Sequence, residues 1–158
     1  MPGLIRFFIV LCLLVPPPLA AAQGVPEVAD FAELGRQARQ REQVILVMFA
    51  ATYCEYCERL EAEQLQPLRL GGEFAGQVLI RKHVVDRVGF IRDFSGQQVG
   101  YSDFADRYDI DITPTIVFFD GQGRPVGRRL FGYNGSDFFA VRLEQAIARA
   151  YALIHKQP

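Results

Sequence analysis

Two cysteines separated by two residues, Cys54-Glu55-Tyr56-Cys57, are the side chains in this sequence best suited to covalent chemistry. At the first turn of a helix such a pair can close a small disulfide ring. A helix start also offers unpaired backbone N–H groups and the positive end of its dipole, which stabilise a thiolate and lower its pKa from the free value of about 8.5. Cys54 is therefore the expected nucleophile. Cys57, one turn further in and shielded, is the expected resolving thiol that attacks a mixed disulfide. Three other uses of the pair are weaker. A purely structural bridge over so short a loop constrains the unfolded chain little. Half a zinc site needs two more ligands, and only His83 and His155 are on offer. Two buried small hydrophobes do not suit an oxidising compartment.

The second constellation is Ile112-Thr113-Pro114-Thr115, immediately before an apolar run. A proline in a sheet is confined to a strand start or an edge, and a cis bond would keep Thr113 out of the ladder, with its N–H and C=O free for an extended substrate segment. The residues alone leave a cis bond and a trans strand start both open.

The elements around these groups alternate. Asp30 caps a helix running to about Arg41, with Glu33 three residues on. Val44 to Ala50 is seven apolar residues in a row, as in a strand buried on both faces. The cysteines follow directly, on a helix that ends near Pro67 and Gly71-Gly72. A second strand spans Val78 to Val85, where His83 reads as a satisfied core histidine. Residues 87–101 have no clear period and read as a long loop with a short extended piece near Ile91 to Phe94. Ser102 caps a short helix through Tyr108, Thr115 to Asp120 is a strand, and Pro125 to Phe131 is an edge strand protected by Arg128 and Arg129. Ser136 opens a last helix with Phe139, Leu143, Ile147 and Ala150 at helical spacing.

Composition narrows the setting. The 158 residues carry 17 Lys plus Arg against 18 Asp plus Glu, a balance with no electrostatic footprint for nucleic acid. Arg6, the apolar run Phe7 to Val15, the prolines 16–18 and Ala20-Ala21-Ala22 form a secretory leader over residues 1–22, since the run is well short of the roughly 18 residues that span a bilayer. Cleavage would remove Cys12 and leave Cys54 and Cys57 as the only cysteines, so any disulfide is local. Residues 23–29 read as a tether and 30–158 as one domain.

Taken in order, the strand Val44 to Ala50, the Cys54-to-Cys57 motif, Thr113-Pro114-Thr115, Phe118-Phe119-Asp120, Gly121-Gln122-Gly123 and Gly132-Tyr133 resemble the thioredoxin-like superfamily, in its exported, SoxW-type branch. The resemblance covers roughly residues 30 to 152. It implies an α/β fold with a central mixed β-sheet flanked by helices. It also implies Cys54 as attacking and Cys57 as resolving cysteine, Pro114 as a cis-proline, Thr113 as substrate-pairing residue and Gly132 in the same groove. The activity implied is dithiol–disulfide exchange on protein substrates in the periplasm. No organic cofactor is expected, because the cysteine pair is the redox centre. A membrane thiol–disulfide protein would supply electrons, and the protein is expected to act as a monomer. A disulfide oxidant or isomerase, and a copper(I)-binding chaperone on the same fold, are the alternatives; the isomerase is disfavoured because no segment remains for a dimerisation domain.

The sequence also departs from thioredoxin. Met48 stands where thioredoxin has a buried aspartate thought to help proton transfer, and Tyr53 replaces the tryptophan before the first cysteine. Tyr53 and Tyr56 are expected either to rim the substrate site or to pack inward. Glu55, Glu58 and Glu61 should disfavour the Cys54 thiolate, which makes the couple less oxidising. Glu58 with Arg59 otherwise reads as a solvated helix face.

Overall fold

The computed structural model describes residues 24–135 and 137–156; the leader assigned to residues 1–22, Cys12 within it, and the cap assigned to Ser136 lie outside them. Strand β1, Val44–Ala50, is buried along its whole length. Its side chains alternate between two cores: Val44, Leu46, Met48 and Ala50 enter one, Ile45, Val47 and Phe49 the other. β1 pairs in parallel with β2, Val78–Val84, and antiparallel with β5, Thr115–Phe119. β5 pairs antiparallel with β6, Leu130–Phe131, giving the order β2-β1-β5-β6. This is the expected mixed sheet flanked by helices.

On one face, helix α2 (Glu55–Leu60), the π-helical turn Glu61–Leu65 and helix α5 (Asp137–His155) contribute Cys57, Leu60, Leu65, Leu143 and Ile147 to the first core. On the other, helices α1 (Phe31–Arg41) and α4 (Tyr101–Asp106) contribute Phe31, Leu34 and Phe104 to the second. Each such leucine, isoleucine or phenylalanine side chain, fully buried, is worth about 1.5–3 kcal/mol. α1 begins as read: the Asp30 carboxylate accepts the Glu33 N–H at 2.8 Å. Its Gly35 lies against the turn after β5, where a Cβ would stand 2.5 Å from the Gly121 carbonyl oxygen.

Several expectations are corrected. The helix after the cysteines does not run evenly to its end; it widens into the π turn before helix α3, Gln66–Gly71. Pro67 sits early in α3 and has no N–H for the preceding turn, which the wider turn accommodates. Residues 87–101 are not a loop but hold a hairpin of β3 (Phe90–Arg92) and β4 (Gln98–Gly100). Its turn is organised by buried Asp93, which accepts from the Ser95 amide and hydroxyl, the Gln97 amide and Arg107. Burial opposes ionisation of Asp93, yet the Ser95 hydroxyl, Arg107 and the two amides hold its pKa down to about 2.

α4 starts at Tyr101, with Gly100 and not Ser102 at the cap, and ends at Asp106. The edge strand is two residues long instead of seven, because Gly127 (φ 71°) breaks it and leaves only a bridge between Phe119 and Pro125 upstream. The segment read as a tether packs along β2: Val25 and Val28 are buried, and Val28 N–H and Pro26 C=O bond the Lys82 backbone at 3.0 Å each.

His83 on β2 is fully buried between Phe31, Phe49 and Phe104, with its ring stacked on Tyr101. Its Nε2 lies 2.9 Å from the Tyr101 carbonyl and so carries the proton, while the buried Nδ1 has no partner among the described residues. Burial lowers its pKa below the ordinary 6.5, offset in part by that carbonyl. The unfolded chain therefore takes up a proton that the folded one refuses. Stability should be complete above about pH 6.5 and fall as pH drops below it. Urea midpoints at pH 7.5 and 5.5 measure this; His83→Gln should flatten the dependence, and an equally steep one in that variant would show that another group is responsible.

Candidate active site

β1 delivers the chain to the cysteines through Ala51-Thr52-Tyr53. Thr52 fastens this junction to the end of β2, donating its N–H and hydroxyl to Asp86 at 2.8 and 3.0 Å. The Thr52 N–H is the main reason the Asp86 pKa lies below its ordinary value. Cys54 is the N-cap of α2; its carbonyl accepts the Cys57 and Glu58 N–H groups at 3.0 and 3.1 Å, and its Sγ accepts the Cys57 N–H at 3.3 Å. Cys54 is half-buried and Cys57 only 3% exposed, with the two sulfurs bonded at 2.03 Å.

Facing them is the start of β5. The Thr113 hydroxyl lies 3.6 Å from Cys54 Sγ, and the Thr113–Pro114 peptide is cis. Thr113's own backbone N–H and C=O make no hydrogen bond among the described residues. The Gly132 N–H donates to the Pro114 carbonyl at 2.8 Å, closing a third loop onto the site. Beside this lies a cleft of about 410 Å³ lined by Tyr56, Thr113, Pro114, Phe131, Gly132, Tyr133 and Arg142 among others. In its far wall the Tyr133 hydroxyl donates to Glu63 at 2.5 Å and the Tyr133 ring meets Phe139 edge-on at 5.0 Å. That hydroxyl, and then Arg59, lower the Glu63 pKa.

The structure thus brings together Cys54, Cys57, Thr113, Pro114 and Gly132. Tyr53 stands apart: it is 98% exposed with φ 57° and does not line the cleft, whereas Tyr56 does. Neither tyrosine packs inward. Sequence reasoning missed Phe131, Tyr133 and Arg142. The aromatics flanking Gly132 were a usable signal; Arg142 comes from α5 and had none. His83 is enclosed in the second core and His155 bonds the Tyr151 carbonyl on α5. Of the three acids read as crowding Cys54, Glu55 and Glu58 are exposed, whereas Glu61 is engaged in an ion pair with Lys82 at 2.8 Å.

A model of the thioredoxin-like domain matches residues 31–147. The chain belongs to the thioredoxin-like family. Solved thioredoxin-like structures share its fold at low identity. A DsbH oxidoreductase superposes with TM-score 0.58 at 16% identity, covering 86% of this chain and 92% of its own. Thioredoxin from Fasciola hepatica gives 0.52 at 20%, covering 80% and 99%, and mitochondrial thioredoxin 3 from Saccharomyces cerevisiae gives 0.53 at 20%, covering 78% and 93%. No curated protein matches the chain. A thioredoxin-like fold with a cysteine pair at disulfide distance suits thiol–disulfide oxidoreductase chemistry.

The burial difference between the two sulfurs has a direct readout. After reduction, limiting iodoacetamide should label Cys54 well ahead of Cys57 in peptide mass maps; equal labelling would contradict the placement of Cys57 behind the helix start.

Proposed function

We propose that this thioredoxin-like protein is exported, as the SoxW-type resemblance implies, and reduces disulfides of periplasmic partner proteins. The observation that carries the reading is the meeting of half-buried Cys54 with Thr113 at 3.6 Å, beside an open cleft and a Thr113 backbone unpaired among the described residues. A client segment can pair with Thr113 and present its disulfide to Cys54. The Cys54 thiolate attacks one client sulfur, the client S–S bond breaks and one client thiolate leaves. Cys57 then attacks Cys54, closing their disulfide and releasing the second client thiol, so two electrons pass from the pair to the client. A dithiol donor, expected at the membrane, must reduce the pair again.

Export rests on the leader pattern of residues 1–22; among the described residues no helix is long and apolar enough to cross a membrane. The reducing direction rests on Glu55 and Glu58, whose exposed charges flank Cys54 and disfavour its thiolate. A couple whose reduced form is less stabilised is a better reductant.

Equilibration of the mature protein with dithiothreitol or glutathione buffers gives the potential of the Cys54–Cys57 couple. A value near about −270 mV is expected, and one near about −120 mV would make the protein an oxidant. Dithiothreitol-driven insulin reduction should be lost in Cys54→Ser and Cys57→Ser.

A further inference from the structure

Met48 removes any acid from β1 behind the cysteines, yet Cys57, 3% exposed, must lose a proton before it can attack. Behind the pair is a cavity of about 200 Å³ lined by Met48, Cys54, Cys57, Glu61, Lys82 and residues of the Cys54 junction. The titratable and charged groups that face it are Tyr53, Glu58, Glu61, Lys82 and Arg87. Tyr53 and Glu58 are exposed, and Arg87 is engaged with Glu27 at 2.9 Å.

Glu61 differs from the rest. Its N–H bonds the Cys57 carbonyl, so it follows Cys57 by one helical turn and opens the π turn. Its side chain is 15% exposed and is oriented from two sides. Lys82 Nζ donates to both carboxylate oxygens at 2.8 and 3.1 Å, and the Val25 N–H donates to one of them at 2.7 Å. A Cβ on Gly24 would stand 2.2 Å from that oxygen, so a larger residue there would displace the carboxylate from this position. The same N-terminal segment bonds the Lys82 backbone through Pro26 and Val28, at 3.0 Å each. Residues 24–28 therefore fix both members of the ion pair. A solvated helix-face acid would need no such arrangement.

We propose that Glu61, held by Lys82 and the Gly24–Val25 backbone, accepts the proton of Cys57 across this cavity when Cys57 resolves the mixed disulfide. The inference rests on the exchange reaction proposed above. The cavity far exceeds the ~10–15 Å³ that one water requires, and a carboxylate has lone pairs beyond those engaged by Val25 and Lys82, so a water can carry the proton. The Cys57 S–H proton passes to Glu61, and the sulfur electron pair forms the bond to Cys54 Sγ. The bond from Cys54 to the client sulfur breaks, and the client leaves as a thiolate that takes up a proton from Glu61 or solvent. The reductant is the Cys54–Cys57 dithiol itself.

Single-turnover reduction of a synthetic peptide disulfide by the reduced mature protein, sampled by acid quench, separates formation of the mixed disulfide from its resolution. Glu61→Gln should slow resolution at pH 7 by about tenfold or more, a larger change than in mixed-disulfide formation. The deficit should shrink toward pH 9.5, where the thiol ionises without help. Glu61→Asp should recover part of the rate. Gly24→Ala, which displaces the carboxylate but keeps the acid, should slow resolution with the same pH signature and covers the case in which Glu61→Gln does not fold. Resolution within twofold of wild type in the folded variant, or a deficit equal at every pH or in both steps, would overturn the role of Glu61 alone. A wild-type protein that reduces no disulfide would overturn the exchange reaction and this inference with it.

Discussion

β1 is buried along its whole length, and most of the architecture follows from that. A strand with Val44, Leu46, Met48 and Ala50 on one side and Ile45, Val47 and Phe49 on the other is stable only if both sides are covered. α2 and α5 cover the first, α1 and α4 the second. It must also have hydrogen-bonded neighbours on both edges, and β2 and β5 supply them. Because β1 is central, its C-terminal end opens where the start of β5 can face it. That places Cys54 opposite Thr113.

Those parts with a strong apolar run or period were legible in the sequence: β1 and β5 by continuous apolar runs, α1 with its Asp30 cap, and the apolar stripe of α5. The rest failed for physical reasons that are local in each case. The β3–β4 hairpin is three residues a side with one buried residue in each strand, too short for alternation to register, and it is organised by Asp93, a single buried carboxylate. The residue run Pro125 to Phe131 has strand composition, but the backbone at Gly127 turns out of the ladder. Residues 24–29 are short and carry no helical or strand period, so they pass for a tether, and only the free edge of β2 gives them a place.

The site was half legible. The cysteines and Thr113-Pro114 announce themselves by type and spacing, and Gly132 enters only through the family resemblance. What surrounds them does not. Phe131 and Arg142 reach the cleft from the sheet edge and from α5, and Glu61 changes from one acid among several on a helix into a partly buried ion pair only because Lys82 arrives from β2. Three acids in a row read as one electrostatic cloud, whereas the folded chain separates them into two exposed charges and one that is neutralised.

The groups around the sulfurs come from separate stretches of chain: Val25, the run from Cys54 to Glu61, Lys82, Thr113 with Pro114, and Gly132. The bond from Val25 to Glu61 spans 36 residues and the contact from Thr113 to Cys54 spans 59. A fragment that held only β1 and α2 would keep both thiols and could still close their ring, but it would lack Thr113 and Pro114 opposite the sulfurs and the Lys82 and Val25 groups that orient Glu61. Closure of the ring is a local event, while competence in exchange is a cooperative property of the finished fold. A chain that has oxidised its cysteines has not, by that fact, finished folding.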